Sequence, residues 1–250
     1  MEIKVMSFNI RCCDDINGNS IAERAPRLFE ITSKYDADVL GIQEFRPDWE
    51  EHFKNNDSKE YGFFHKYRAT VDDIESTPIL WKLKKFNCLK TGYFWLSDTP
   101  EEESVSWDGG CHRICTYVIL EDKNTLEKFT FMNTHFGFGD ECQVKSVALT
   151  ARYAKKISDY PTFITGDFNM KPTDAGYTEM VKHFTDANAV TAKDWRMTFH
   201  NYNPDVVTDM HIDYCFTDGN CLPLSQKIVD ENVGGKYPSD HFGLFTVLKI

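Results

Sequence analysis

An α/β fold built from two packed sheets with helices outside is what this 250-residue sequence predicts. Three observations carry the prediction. Strand-like segments outnumber helical ones, they do not alternate strictly with helices as a doubly wound sheet requires, and neither a linker nor a fixed-period repeat divides the chain. The length falls within the range of large sandwiches and barrels, so one catalytic-sized domain over residues 1–250 is expected.

Taken in order, residues 2–8 alternate as a strand. Ser20-Ile21-Ala22-Glu23 has the form of a capping box, and Ala25, Leu28, Phe29, Thr32 and Tyr35 follow at helical spacing; Pro26 either opens that helix or kinks it. Residues 39–43 and 78–83 read as strands. KLKKFNCLK at 82–90 reads as a solvated edge strand, where lysine discourages sheet-to-sheet pairing. Strands at 115–120 and 128–133 precede the clearest helix, 143–157, with Val144, Val147, Ala148, Ala151, Ala154 and Ile157 on one face. A strand at 161–165, a third helix from about 173 to 184, and strands at 211–216 and 242–248 complete the chain. Trp81, Trp95 and Trp107 are expected in the core or the wall of a cleft. His52, His65, His183 and His200 stand outside any motif and read as surface or structural residues, while His211 divides evenly between an incidental and a supporting role.

Hydrophobic residues at 41% and charged residues at 27% suit a folded core and exclude a disordered chain. No apolar run reaches membrane-spanning length. The N-terminal MEIKVMSFNI alternates and lacks the basic start and apolar core of a signal peptide, so a cytoplasmic protein without membrane partners is expected. The eight cysteines contain no C-x-x-C pair, which leaves reduced, mostly buried thiols as the expected state. The net charge of −11, from 39 acids against 28 bases, argues mildly against a grip on long nucleic acid, because phosphate neutralisation supplies most of that affinity. Divalent cations bound by some of the acids would reduce that charge.

The chemistry is written at the ends of the apolar strands. FITGDFN ends a buried run in Gly166 and sets Asp167 and Asn169 two residues apart, which in an extended chain sends both to one side. Alone, this is a turn, since Gly, Asp and Asn dominate turns for backbone reasons. The arrangement recurs, however. Asn9 follows VMSF, Gln43 and Glu44 follow VLGI, Asn133 and His135 end FTFMNTH, Asp213 sits inside HIDYCF, and Asp240 and His241 precede the last strand. Asp213 weighs most, because a carboxylate inside an apolar strand is costly unless it is paired or binds a metal. Carboxylates with an Asn carbonyl are hard ligands for Mg²⁺ or Mn²⁺, and nearby histidines donate to phosphate oxygens or act as acids. There is no G-x-S-x-G, P-loop or Gly-rich dinucleotide turn, and Cys111-His112 reads as structural. The residues point to metal-assisted phosphoester hydrolysis by a directly attacking water.

SFNIR, QE, NTH, GDFN, IDY and SDH, in that order and across nearly the whole chain, resemble the endonuclease/exonuclease/phosphatase superfamily, which includes pancreatic deoxyribonuclease, exodeoxyribonuclease III-like enzymes, deadenylases and inositol-phosphate phosphatases. TGYFWLSDTP at 91–100 with SWDGGCHRI at 106–114 is similar to a group of largely uncharacterised microbial hydrolases near the deadenylase-like branch. The resemblance implies a four-layered α/β sandwich, with two mainly antiparallel sheets packed face to face, helices outside, and the active site in the cleft where the sheets meet. It implies Glu44 as the principal ligand of Mg²⁺ or Mn²⁺, with Asn9 and Asp240 beside the metal. Asp167 matches the residue that orients or deprotonates the attacking water and belongs to the same metal set. Asn169 holds the phosphate, His241 contacts it and is paired with Asp213, and His135 is a second phosphate-side histidine whose carboxylate partner is Glu75. Arg113 matches a structural or phosphate-facing arginine, although the family usually shows proline before it and here His112 stands there.

The expected function is a divalent-metal-dependent phosphoesterase, cleaving a phosphomonoester or phosphodiester of a small or medium phosphorylated substrate. The alternative is a nuclease or deadenylase acting on DNA or RNA with the same residues. The intact set Glu44, Asp167, Asn169, Asp213 and His241 argues against a catalytically dead binding protein. A phosphorylated small molecule is favoured over nucleic acid as partner, and a monomer is expected. Specificity would lie in the loops 11–19, 65–76, 98–112 and 199–210, which carry no legible code.

Overall fold

The computed structural model describes residues 1–56 and 60–250. In chain order its first half runs β1 (Glu2–Asn9), α1 (Ile21–Tyr35), β2 (Val39–Gln43), α2 (Pro47–Asn55), β3 (Tyr61–Phe64), β4 (Ile79–Lys82), β5 (Phe86–Trp95) and β6 (Ile114–Asp122). The second half runs β7 (Lys128–His135), α3 (Asp140–Ile157), β8 (Thr162–Asp167), α4 (Ala175–Met180), β9 (Thr185–Asp186), α5 (Ala187–Val190), β10 (Asp213–Thr217), β11 (Leu222–Val229) and β12 (Gly243–Lys249). One six-stranded sheet has the order β11-β12-β1-β2-β4-β3, and the other β5-β6-β7-β8-β10-β9. Each holds one parallel pair, β1 with β2 and β7 with β8, among antiparallel neighbours. Parallel strands need a crossover, and α1 and α3 supply it.

Strand alternation builds the layers. In β1, Ile3 and Val5 join Val39, Ile79 and Trp81 against Val118, Leu120, Phe129, Phe131, Phe163 and Cys215 of the facing sheet. The alternate residues Met6 and Phe8 turn outward with Leu40 and Ile42, onto Leu28 and Ile31 of α1 and Trp49 of α2. On the far side Met132, Ile164, Tyr214 and Phe216 meet Val147, Ala151 and Ala154 of α3. The result is helices, sheet, sheet, helices, the four layers expected.

Toward the carboxyl ends of the parallel strands the inner face changes from apolar to polar without breaking the alternation: Ser7 and Asn9, Gln43, Asn133 and His135, Thr165 and Asp167. Gln43 Nε2 donates to Asn133 Oδ1 (2.7 Å) and Ser7 Oγ (3.2 Å), and Asn133 Nδ2 donates across to the carbonyls of Ile42 (2.7 Å) and Pro78 (2.9 Å). These bonds tie the two sheets together in a buried layer, where unmet polar groups would be costly. Gly41 permits the approach, since a Cβ there would stand 2.4 Å from Thr165 Oγ1 and 2.5 Å from Asn133 Oδ1. Beyond this layer lie Asn9, Glu44, Asp167 and His241.

Several elements differ from expectation. Helix α1 begins at Ile21 and carries Pro26 inside it, with Glu23 Oε2 accepting from Ser20 N (3.1 Å) and Oγ (2.6 Å). The third helix is shorter than 173–184, because α4 ends at Met180. Helix α2, opened by Pro47 in its first turn, was not foreseen. The lysine-rich stretch is an edge strand only from Phe86 onward.

Candidate active site

Strand register brings the polar ends together. Asn9 pairs in register with Gln43, His135 with Asp167, and Asp167 with Asp213. Glu44 follows β2 with a left-handed backbone, φ 62°. Continued alternation would have sent it to the outer face; instead its side chain meets Asn9. Asn9 Nδ2 donates to Glu44 Oε1 (2.9 Å) and to Asp167 Oδ2 (3.0 Å), so one amide from the first sheet bridges carboxylates of both. The second Glu44 oxygen accepts from Cys12 N at 2.8 Å.

Asp167 is 2% exposed. Its Oδ1 accepts from Asn169 N (2.9 Å), and its Oδ2 faces His135 Nε2 (3.5 Å) and His241 Nε2 (3.7 Å). Asn169 also lies left-handed, φ 49°, and its Nδ2 donates to Phe136 O (2.9 Å). The FITGDFN segment is therefore a strand end and a turn at once, and the turn orients the carboxylate. His241 Nδ1 lies 3.0 Å from Asp213 Oδ2. Asp240, just before it, takes a bond from Ser239 Oγ (3.2 Å) and lies 3.8 Å from Arg11 Nε.

Burial and charge divide these groups. Burial and the Asp213 charge push the Asp167 carboxyl up to about 7, against the pull of His241. Burial alone would lower His241, but Asp213, Asp167 and Asp240 outweigh it and raise the imidazole to about 10. Burial, with the charges of Arg113, Arg68 and His241, holds His135 well below the usual imidazole range. For Glu44, burial is outweighed by His241, Asn9 and Cys12, and the group stays below the usual carboxylate range. The cluster thus pairs one histidine held as a cation with one held neutral.

One expected relationship changes. Glu75 does not pair with His135; it pairs with Arg68 Nη1 at 3.0 Å, and His135 Nδ1 has no hydrogen-bond partner. Arg68 also contacts Asp73 and is buried, which explains why it captures Glu75. No sequence motif surrounds Arg68, so nothing marked it in advance. Arg113 is 4% exposed, its Nε and Nη1 unpartnered, with the Phe138 ring 5.8 Å from its guanidinium carbon. His200 proves structural, buried and stacked on Phe242 at 4.1 Å.

One oxygen or nitrogen from each of Glu44, Asp167 and His241 lies within 4.8 Å of the others. Two carboxylates bridged only by an amide suit a hard divalent cation. A cationic His241 balances their charge but cannot itself ligate a metal, so the carboxylates are the donors that fit. Asn9 as placed offers its amide nitrogen rather than a ligand oxygen, and Asp240 stands beside the group, its acidity weakened by burial and by Glu44.

The Endonuclease/Exonuclease/phosphatase family matches residues 6–241. A mannosyl-6-phosphatase of Bacteroides thetaiotaomicron VPI-5482 is 26% identical, with a TM-score of 0.89 over 99% of this chain and 100% of that one. An endonuclease/exonuclease/phosphatase family protein of Bacteroides thetaiotaomicron is also 26% identical, with a TM-score of 0.88 over 99% and 97%. TDP2 of D. rerio, solved with a single-strand DNA product, shares the fold at 18% identity, with a TM-score of 0.80 over 100% and 99%. The chain matches 30% of the length of a curated relative, the uncharacterized protein L388 of Acanthamoeba polyphaga mimivirus, at 35% identity over 80 residues. No helix among the described residues is long and apolar enough to cross a membrane. With a family match over nearly its whole length, the chain belongs to the endonuclease/exonuclease/phosphatase family, whose members hydrolyse phosphoester bonds.

Proposed function

We propose that this protein is a divalent-metal-dependent phosphoesterase that cleaves the phosphate ester of a small or medium phosphorylated molecule by direct attack of water. The observation that carries the reading is the Glu44, Asp167 and His241 cluster, with Asp213 behind the histidine. Glu44 and Asp167 would hold the Mg²⁺ or Mn²⁺ ion, which when bound supplies Lewis-acid stabilisation of phosphoryl oxygens.

The chain's own groups do the rest. Asp167, braced by Asn9 and by the Asn169 N–H, takes a proton from the attacking water or fixes its orientation. His241, kept protonated by Asp213, donates to a phosphoryl oxygen as charge accumulates there. His135, neutral, donates or accepts as its free Nδ1 dictates. Arg113 presents unpartnered guanidinium nitrogens to an anion, and Asn169 steadies the phosphate.

The small-substrate reading is supported by the acidic net charge of −11 and by the likeness to a sugar phosphatase over both full chains. A panel with Mg²⁺ and Mn²⁺ tests it, covering sugar and inositol phosphates, nucleotides, single- and double-stranded DNA, and poly(A), each with and without excess chelator. Turnover of a small phosphate ester that chelation abolishes is expected. Full activity in chelator contradicts the metal, and turnover confined to polynucleotides contradicts the substrate class.

A further inference from the structure

The loop after β1 carries two adjacent cysteines whose thiols the proposed mechanism leaves without a task. Cys12 Sγ and Cys13 Sγ lie 2.9 Å apart, the first buried and the second exposed. Through their backbone the same residues hold the site. Cys12 N–H donates to Glu44 Oε2 at 2.8 Å, and the Cys13 carbonyl accepts from Nη2 of buried Arg24 at 2.6 Å. Glu44 depends on such support, since a non-glycine residue keeps a left-handed backbone only where its surroundings hold it.

We propose that Cys12 and Cys13 form a redox-modification site, at which a peroxide closes the pair into a vicinal disulfide that withdraws the Cys12 N–H from Glu44. The exposed Cys13 meets the oxidant first: hydrogen peroxide oxidises its sulfur to a sulfenic acid, and one water leaves. Cys12 Sγ then attacks that sulfur. The S–O bond breaks as the S–S bond forms, and the departing hydroxide takes the Cys12 proton as a second water. Two thiols and one peroxide become one disulfide and two waters.

Adjacent Cα atoms stand about 3.8 Å apart across a trans peptide, closer than the roughly 4.4–6.8 Å that ordinary disulfides span. Closing the ring therefore turns the Cys12–Cys13 peptide and the N–H that precedes it. The strained bond is easily reduced, as labile and regulatory disulfides are, so a dithiol reverses it. Formation of the bond stands apart from the phosphoesterase reading; its effect on metal binding and turnover rests on that reading.

The full chain, treated with hydrogen peroxide and then with dithiothreitol, provides the test. Peptide mapping reads the bond as the loss of two hydrogens and of alkylation at Cys12 and Cys13, and thermal shift against Mn²⁺ reads the site. Oxidation should weaken the Mn²⁺ response about 10- to 100-fold, the usual effect of losing a group that supports a ligand. Dithiothreitol should restore it, and Cys13→Ser should keep it throughout. Free thiols in that peptide after the response is lost, or equal loss in Cys13→Ser, would overturn the proposal. A reduced protein that Mn²⁺ fails to stabilise counts against the metal reading instead, and the mapped mass change then decides the modification alone.

Discussion

His241 Nδ1 lies 3.0 Å from Asp213 Oδ2, while Nε2 of the same ring faces Asp167 Oδ2 at 3.7 Å. One imidazole thus connects a carboxylate that β10 carries with one that ends β8. On the proposed reading, its charge state decides what these groups can do to a phosphate.

With Asp213 in place, His241 titrates near 10 rather than near 6.5. A histidine raised in the folded state adds stability that is fully present below about 6.5 and is lost as pH rises through about 10. Asp213→Asn removes the first neighbour that raises it. The alkaline limb of the pH–rate profile should then move to lower pH, and the decline of stability between pH 6.5 and 10 should flatten. A profile that keeps its alkaline limb counts against the pairing.

Asp167 shows a linkage of the same sign in a lower pH window. Its carboxyl is raised from 3.8 to about 7, so the folded protein binds the proton more tightly than the unfolded chain across that window. Stability from this group is present at low pH and lost as pH rises through about 7. In chelator, Asp167→Asn should therefore be more stable than the parent above pH 7 and gain nothing near pH 4. Each kcal/mol relieved should appear as roughly 2–4 °C in Tm. A variant less stable at pH 8 in chelator would contradict the charge strain.

Asn133 serves the fold rather than the chemistry. Its amide meets Gln43, Thr165 and the carbonyls of Ile42 and Pro78. Asn133→Ala leaves several of these unmet, at about 1–3 kcal/mol for each group, so denaturant midpoints should fall well below the parent while the substrate preference stays. An unchanged midpoint would remove the layer from the account of how the sheets are joined.

The central strands were legible because each buries both faces, and the polar ends stood out against that apolar background. Asn9, Asp167 and Asp213 converge because register and alternation are fixed by the same pattern that predicts the strands, whereas Glu44 joins them through its left-handed backbone and His241 from the segment before β12. The edges were harder. β3, β9 and β11 border their sheets and show mixed burial, so little periodicity marks them. β5 was visible only through its lysines. Pairing between loops was the least legible: Glu75 and Arg68 meet because the loop between β3 and β4 folds on itself, which no periodic signal records.

The central claim, that Asp167 acts on the attacking water, is tested most directly by the turnover of Asp167→Asn under saturating Mn²⁺ or Mg²⁺, with circular dichroism and thermal melting measured on the same sample. The substitution keeps the shape of the side chain and its turn, and removes the charge. A positioned base contributes on the order of 10²- to 10⁴-fold, so kcat should fall by that much while the protein remains folded. A folded variant with near-parent turnover would return Asp167 to the role of a turn residue and contradict the proposed chemistry.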